Sequence, residues 1–277
     1  MMIKGILSII LCLFIPLHVV AEEDAIEKVD WNLSKTEIVV TFLDLSSGEA
    51  ILIQTGHGET ILINTGGPQT TDELINRLET LSVLKLDSVL LTSLDKQYVS
   101  NLMWLNRGYI IDEIIVPDVF RNELQTEFTL QHGNIQYWDE SIMKEMSSGV
   151  TIRPLNIQYE GGMSLHVGFG KHDLLLMGAA DSKVEEAILK KSSIRAEILK
   201  VAQFAQADGT SESFLKKVDP HVAIIFRERK RMPSSDVLER LNETWIDIYQ
   251  TRQFGNVAIR FDQENYEVIT FEAKDKE

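Results

Sequence analysis

The stretch Leu90-Leu-Thr-Ser-Leu-Asp-Lys-Gln-Tyr-Val-Ser-Asn101 decides the fold of this chain. An apolar strand predicted over residues 88–91 ends in a short polar turn, and a helical pattern begins near Tyr98. In an open α/β sheet, functional sites are built at this place, at the carboxyl end of a strand. A hydrolytic metal centre would need His and carboxylate side chains that converge on the cation. The turn offers one carboxylate, Asp95, and no histidine.

Predicted strands and helices alternate through the first half of the chain, which is typical of a βαβ layout. Shorter strands follow from Asn134 onward, with helices between some of them. The main predicted strands of the first half lie at 36–45, 50–54, 60–64, 87–92 and 113–116. The helical patterns between and after them begin near Thr71, Val99 and Val119, and the last of these is predicted over 119–130.

Seven segments, taken in order and spacing, resemble the metallo-β-lactamase fold and most closely the hydrolase-like domain of ComEC-type competence proteins. The first five, each followed by the usual family form in parentheses, are Val40-Thr-Phe-Leu-Asp-Leu-Ser-Ser-Gly-Glu-Ala50 (FLDVGQGDA), Ile61-Leu-Ile-Asn-Thr-Gly-Gly67 (ILIDTGG), Leu91-Thr-Ser-Leu-Asp-Lys-Gln-Tyr98 (LTHxDxDH), Leu175-Leu-Met-Gly-Ala-Ala-Asp181 (LLTGDAE) and Leu199-Lys-Val-Ala-Gln-Phe-Ala-Gln206 (LKVGHHGS). The other two are residues 226–240, at the family's late histidine loop, and 255–259, at its closing strand. The resemblance implies an α/β fold of the αββα four-layer sandwich type.

The departures from the family pattern fall on its metal chemistry. Ser93 and Tyr98 stand where the family has metal-binding histidines, and Gln97 stands at its metal-binding aspartate. The other exchanged positions are Asn64, Ala179, Gln203, Phe204 and Met232. The resemblance therefore implies the fold without the usual activity. It predicts a vestigial pocket lined by Asp44, Asn64, Ser93, Asp95, Gln97, Tyr98, Ala179 and Gln203.

From these residues we expect no catalytic side chain, no resident metal and no cofactor. The histidines after the leader, at 57, 132, 166, 172 and 221, lack the spacings that bring two imidazoles to one ion. His166 and His172 could meet across a hairpin, although single surface histidines explain them better. A weak site for a hard cation on Asp44 and Asp95 is the alternative. Asp95 itself has two interpretations: a general base if desolvated, or an acceptor of backbone N–H bonds in its turn.

Charge limits the partners that the sequence predicts. The 277 residues carry a net charge of −15, which repels nucleic-acid phosphates at long range. We therefore expect a protein partner or a small anionic ligand rather than nucleic acid. The cations Arg227, Arg229, Lys230 and Arg231 form the one basic concentration and a candidate anion-binding site. A solvated charged loop is the alternative interpretation.

Residues 1–21 have the pattern of a secretory signal peptide, predicted to be cleaved after Ala21. Lys4 is followed by an apolar run, and acidic residues follow the predicted cut. An uncleaved anchor is the alternative, and it would be the only contact with a membrane. We expect 22–35 to be a flexible lead-in, 36–272 a single domain and 273–277 a charged tail. The one cysteine, Cys12, lies within the leader, so the exported chain would have no disulfide.

Together these features predict an exported, periplasmic or secreted, non-catalytic protein that binds a ligand or an envelope partner. The alternative is a ComEC-like metal-dependent hydrolase or phosphodiesterase with a reduced or relocated metal site, linked to DNA uptake.

Overall fold

Apolar residues on successive positions of the central strands bury both faces of each strand. Ile61 and Ile63 face an inner core, whereas Leu62 between them faces an outer one. Leu174 and Leu176 likewise face the inner core, and Leu175 faces a second outer core. A strand that is apolar on both faces fits between two layers of packed structure.

The computed structural model describes residues 28–131, 133–191 and 194–273. In chain order the strands are β1 (Ile38–Phe42), β2 (Ile51–Thr55), β3 (Thr60–Ile63), β4 (Lys85–Leu90), β5 (Ile110–Pro117), β6 (Asn134–Trp138), β7 (Lys144–Glu145), β8 (Thr151–Gln158), β9 (Gly162–Phe169), β10 (His172–Leu176), β11 (Ile198–Lys200), β12 (Val222–Ile225), β13 (Asp247–Gln250), β14 (Asn256–Phe261) and β15 (Tyr266–Phe271). The helices are α1 (Thr71–Thr80), α2 (Lys96–Val99), α3 (Leu102–Gly108), α4 (Arg121–Glu127), α5 (Ser182–Lys191), α6 (Glu212–Val218), α7 (Ser235–Glu243) and α8 (Thr251–Phe254). Two 3₁₀ turns lie at Asp118–Phe120 and Ala202–Phe204.

The strands form two sheets. The first has the order β15-β14-β1-β2-β3-β4-β5-β6, and the second has the order β13-β12-β11-β10-β9-β8-β7. Strands β3 to β6 are parallel in the first sheet, and β10 to β13 are parallel in the second. The loops that follow these parallel strands leave from their carboxyl ends, where α/β sheets place their sites.

The apolar residues divide into one inner and two outer cores. The inner core packs residues of both sheets together, such as Val40 of β1 with Val167 of β9. One outer core packs α1 and α3 on the first sheet, and the other packs α5, α6 and α7 on the second. The layers therefore run helix, sheet, sheet, helix, which is the predicted αββα sandwich.

Some predicted elements have different bounds in the structure. The helix predicted over 119–130 is α4, which ends at Glu127 because the next residue, Phe128, is extended. The strand predicted over 194–201 is reduced to β11, of three residues. Among the described residues, none of the helices combines the length and apolar character that crossing a bilayer requires.

The described part of the predicted lead-in lies against the domain. The backbone N–H of Val29 donates to the carbonyl of Thr80, and the Trp31 ring packs edge-on against Phe271 at 5.8 Å. The predicted signal peptide, the lead-in before residue 28 and residues 274–277 of the predicted tail lie outside the described residues.

Candidate functional site

A cavity of about 420 Å³ opens at the carboxyl ends of the parallel strands. Its walls come from the turn after β4, the segment before and within α4, the β8–β9 turn, the 3₁₀ turn at Ala202–Phe204 and the loop after β12. The lining residues are Ser93, Leu94, Asp95, Lys96, Gln97, Tyr98, Phe120, Glu123, Tyr159, Glu160, Gly161, Gln203, Phe204 and Arg231. Five of the eight predicted pocket residues are among them.

Asp95 caps the short helix α2. Its carboxylate accepts a hydrogen bond from the backbone N–H of Gln97 at 2.9 Å, and its own N–H donates to Ser93 Oγ at 3.1 Å. The Asp95 side chain is exposed. Of its two predicted roles, the contacts show the second, an acceptor of a backbone N–H bond in the turn, whereas the first assumed a desolvated carboxylate.

Gln97 and Tyr98 are fixed by contacts beneath the cavity. Gln97 Oε1 accepts a hydrogen bond from Ser47 Oγ at 2.9 Å, and Ser47 Oγ also lies 3.0 Å from Glu228 Oε2. Burial raises the pKa of Tyr98 well above its ordinary value, and the negative charge of Glu49 acts in the same direction. The Tyr98 phenol therefore stays neutral and offers a hydroxyl group, not a phenolate, to anything in the cavity.

Three of the predicted pocket residues lie outside the cavity lining. Asn64 is buried, and its Oδ1 accepts bonds from Thr92 N at 2.8 Å and Thr92 Oγ1 at 3.0 Å, so it ties the ends of β3 and β4 together. Ala179 is buried against Gly161, where an added Cβ would come within 2.5 Å of the Ala179 Cβ. The third residue, Asp44, occupies a different environment.

Asp44 lies among basic groups away from the cavity. Its carboxylate is 3.4 Å from Arg227 Nε, and its backbone N–H donates to the Asn256 side chain at 2.9 Å. Burial raises the pKa of Asp44, and the charges of Arg227 and Arg77 oppose that rise. Asp44 and Asp95 thus do not share the cavity, and the predicted weak cation site on this pair is not assembled in it.

Three consecutive residues in the turn after β11 have left-handed backbone. Gln203, Phe204 and Ala205 have φ angles of 45°, 59° and 61°. Left-handed conformations cost non-glycine residues roughly 1–2 kcal/mol each. The turn is held by hydrogen bonds from Ala205 N to the carbonyl of Ala202 and from Ser234 N to the carbonyl of Ala205, both 2.9 Å. Strain of this kind collects at functional sites when the surrounding structure enforces it.

The four predicted anion-binding cations do not point to one place. Arg227 pairs with Asp44, and Arg229 donates to Gln69 Oε1 at 3.0 Å and Ser46 Oγ at 2.8 Å. Lys230 is exposed, and of the four only Arg231 lines the cavity. The reason is geometric, because Glu228 and Arg231 form an isolated antiparallel bridge and Arg229 and Lys230 occupy the turn between them, so the side chains leave the loop in different directions.

A buried ion pair, which we call the floor pair, lies beneath the cavity. Lys200 Nζ donates to Glu49 Oε2 at 2.6 Å and also to the carbonyl of Met177, and both charged side chains are at least 95% buried. Glu49 Oε1 has no hydrogen-bond partner within the described residues. Burial raises the pKa of Glu49, and the charge of Lys200 opposes it. The backbone connects this pair to the cavity, since Glu49 N donates to the carbonyl of Gln97.

Sequence reasoning missed the floor pair and one wall of the cavity. A lone charge beside apolar strands was the available signal for Glu49, which precedes Ala50-Ile-Leu-Ile, and for Lys200, which follows Ile198-Leu. For the wall, formed by Phe120, Glu123 and Tyr159, no local pattern marked these residues as neighbours.

No family model matches the sequence. The chain is 22% identical over 207 residues to ComE operon protein 3 of Bacillus subtilis, covering 68% of this chain and 26% of the relative. It is 27% identical over 252 residues to Recombination protein 2 of Haemophilus influenzae, covering 88% of this chain and 30% of the relative. The chain thus spans less than a third of the length of either relative.

Solved structures share the architecture. The metallo-β-lactamase fold protein YhfI from Bacillus subtilis superposes with a TM-score of 0.56 at 15% identity, covering 77% of this chain and 95% of YhfI. A diphosphatase of the PhnP family superposes with a TM-score of 0.54 at 12% identity, covering 87% of this chain and 100% of the diphosphatase. The chain has the metallo-β-lactamase fold. Zn²⁺-bound PqqB from Methylobacterium extorquens has the same architecture. It superposes with a TM-score of 0.56 at 9% identity, covering 80% of this chain and 99% of PqqB. The predicted fold and the ComEC-like resemblance are confirmed.

The metallo-β-lactamase fold implies a metal centre at this edge, and the residues present do not fit one. Ser93 and Gln97 present neutral oxygens that already accept hydrogen bonds, and Tyr98 is a neutral phenol. Metal centres that activate water use imidazoles and carboxylates. Across the described ranges, no three His, Cys, Asp or Glu side chains gather in a way that could hold an ion.

The histidines lie elsewhere. His166 pairs with Leu175 of the second outer core, whereas His172 pairs with Phe169 of the inner core, so the two rings lie on opposite faces of the β9–β10 hairpin. They do not meet, which excludes the shared hairpin site that their spacing allowed. His132 lies outside the described residues.

Proposed function

We propose that this chain is an exported, non-catalytic protein of metallo-β-lactamase fold that binds a ligand or an envelope partner at the cavity. One observation carries the proposal. The side chains at the family's ligand positions in the β4–α2 turn, Ser93, Gln97 and Tyr98, are neutral, and the first two are engaged in hydrogen bonds within the chain.

The chemistry of those side chains supports binding over hydrolysis. A metal ion serves hydrolysis by lowering the pKa of a bound water, which requires ligands that hold the ion firmly. Amide and hydroxyl oxygens hold transition metals weakly compared with imidazole and carboxylate. The cavity combines aromatic side chains with polar groups of the kind that fix the orientation of a ligand.

Export is supported by residues 1–21, whose charge and apolar pattern are those of a signal peptide. The mass of the protein recovered from an exporting bacterial host tests this part. Cleavage after Ala21 leaves residues 22–277, whereas an anchor leaves all 277 residues in the membrane fraction. Recovery of the full-length chain in the cytoplasm would contradict export.

A second candidate is a metal-dependent phosphodiesterase linked to DNA uptake. Sequence similarity to ComE operon protein 3 and to Recombination protein 2 favours it, because the second name concerns a process on DNA. The net charge of −15 opposes contact with DNA, and neither relative is matched over more than a third of its length.

Hydrolysis assays separate the two candidates. The purified protein is incubated with bis(p-nitrophenyl) phosphate and with single-stranded DNA, in Mn²⁺, in Zn²⁺ and in EDTA. We expect the same rate as the buffer blank in every condition, and no difference between the wild type and Asp95→Ala. Turnover that EDTA abolishes and that Asp95→Ala reduces would overturn the proposed function in favour of the second candidate.

A further inference from the structure

The cavity has two chemically different walls. The tyrosine wall comes from the segment around α4 and the β8–β9 turn, and consists of Phe120, Glu123, Tyr159 and Glu160. The arginine wall comes from α2, the left-handed turn and the loop after β12, and consists of Gln97, Tyr98, Gln203 and Arg231. Asp95 and Lys96, which are adjacent in sequence, also line the cavity and carry opposite charges.

The tyrosine wall presents an aromatic face beside carboxylates. The Tyr159 ring is 64% exposed, packs on Phe120 at a centroid distance of 5.4 Å, and donates its hydroxyl to Glu123 Oε2 at 2.9 Å. Glu160 is exposed and makes no salt bridge within the described ranges. Aromatic faces and nearby carboxylates both attract an ammonium group.

The arginine wall presents a free cation beside neutral hydrogen-bonding groups. Arg231 is exposed and, in the part of the chain that the structure describes, forms no salt bridge. Arg231 and Tyr98 both line the cavity, together with Gln97 and Gln203. A guanidinium with a neutral phenol and two side-chain amides is suited to a carboxylate group.

An occupant that complements both walls carries an ammonium at one end and a carboxylate at the other. A polyanion would face Glu123, Glu160 and Asp95, and a pure cation would face Arg231 and Lys96, so each is repelled by one wall. We propose that the cavity binds small zwitterions of the amino-acid and short-peptide class, with the ammonium on the tyrosine wall and the carboxylate on Arg231. An extended dipeptide spans about 7 Å, a size suited to a cavity of about 420 Å³. This proposal rests on the proposed function, because it names the ligand class for the same cavity.

Calorimetry with chemically matched ligands tests the proposal. The purified protein is titrated with phenylalanyl-alanine, its N-acetyl derivative, its C-terminal amide and free phenylalanine. We expect the dipeptide to bind about tenfold more tightly than either blocked form, since each block removes one charged contact. Binding of free phenylalanine as tight as that of the dipeptide would assign the site to amino acids. Weaker binding of free phenylalanine would assign it to peptides.

Two variants test which wall binds the carboxylate end of the dipeptide and which binds its ammonium end. A third variant serves as their control. Arg231→Ala should weaken the dipeptide and its N-acetyl form about tenfold and leave the amide unchanged. Glu160→Gln should weaken the dipeptide and the amide, and leave the N-acetyl form unchanged. Lys230→Ala, which removes an exposed cation next to Arg231 that does not line the cavity, should change none of them. All three side chains are exposed, so the variants should keep the circular dichroism spectrum of the wild type.

The proposal is overturned if no ligand of the panel binds, if all the forms bind equally, or if Arg231→Ala has no more effect than Lys230→Ala. Those outcomes leave the non-catalytic assignment standing. Chelator-sensitive hydrolysis, in contrast, would overturn the proposed function whether or not the dipeptide binds.

Discussion

Two groups of polar side chains lie at the same end of the sandwich, one above the other. Around the cavity, Ser93, Gln97 and Tyr98 are neutral and line its surface. Beneath it, Glu49 and Lys200 are charged and fully enclosed, and they join the start of β2 in one sheet to the end of β11 in the other. The difference indicates that each charge of the floor pair needs the other in order to stay buried, whereas the neutral cavity residues need no charged partner.

The largest expected effect comes from breaking the floor pair. Lys200→Met leaves the Glu49 carboxylate buried without its partner, which costs about 3–5 kcal/mol of unfolding free energy. Urea denaturation of the variant and the wild type at pH 7 measures the difference. Replacing both residues, as Glu49→Leu with Lys200→Met, should restore most of the loss because no unpaired charge remains.

The loss of stability in Lys200→Met should depend on pH, and the direction of that dependence can be checked. Burial raises the pKa of Glu49 above its unfolded value near 4.5, so the folded state binds the proton more tightly. Stability from this group is therefore present at low pH and lost as the pH rises through the folded pKa. The deficit of Lys200→Met should be larger at pH 8 than at pH 5. An equal deficit at both pH values would show that Glu49 is not the group left unpaired.

The next effect concerns the tie between β3 and β4. Asn64→Gly removes the acceptor for Thr92 N and Oγ1 without adding strain at φ 61°, and should cost about 1–3 kcal/mol because two buried donors lose their partner. Thermal unfolding followed by circular dichroism measures the change. Asn64→Asp keeps an acceptor oxygen and should recover part of the loss. Identical melting of Asn64→Gly and the wild type would contradict a structural role for Asn64.

A smaller effect is expected at the cap of α2. Asp95→Ala removes an acceptor for Gln97 N at an exposed site and should lower the free energy of unfolding by about 1 kcal/mol. Asp95→Asn retains a capping oxygen and should unfold at nearly the same urea concentration as the wild type. A catalytic or metal-binding Asp95 would instead show Asn and Ala equally defective in an activity.

The smallest effect, and one of opposite sign, is expected in the left-handed turn. Gln203→Gly relieves a φ of 45° and should raise the free energy of unfolding by roughly 0.5 kcal/mol, after the entropy that glycine adds to the unfolded chain is subtracted. Ala202→Gly, one residue earlier and outside the positive-φ run, should destabilise the protein. Destabilisation by both variants would show that the turn is not strained at Gln203.

The strand patterns predicted the βαβ alternation, and the resemblance of the matched segments to a known family implied the αββα sandwich. The apolar residues Ile61, Leu62 and Ile63 are buried on both faces, and the order of the matched segments follows the chain. The resemblance also assigned Ser93, Asp95 and Gln97 to one pocket, and this part of the predicted pocket lines the cavity because the three residues share one turn. For residues within one turn, their spacing along the sequence decides whether their side chains lie together.

The remaining site residues depend on partners that are distant in sequence. Asp44 is directed by Asn256 and Arg227, and Glu49 meets Lys200 from 151 residues away. Sequence spacing carries no information about such contacts. The basic run at 227–231 was interpretable only as a cluster, and the structure separates it because Arg227 pairs with Asp44, Arg229 donates to Gln69, and Arg231 lines the cavity.

The metal content of the purified protein tests the central claim most directly. The chain is dialysed against Zn²⁺ and then Mn²⁺, freed of unbound ions, and measured by inductively coupled plasma mass spectrometry. Because neutral side chains replace the ligands of the β4–α2 turn, we expect far less than one ion per chain. One or two ions per chain that survive dialysis would contradict the account.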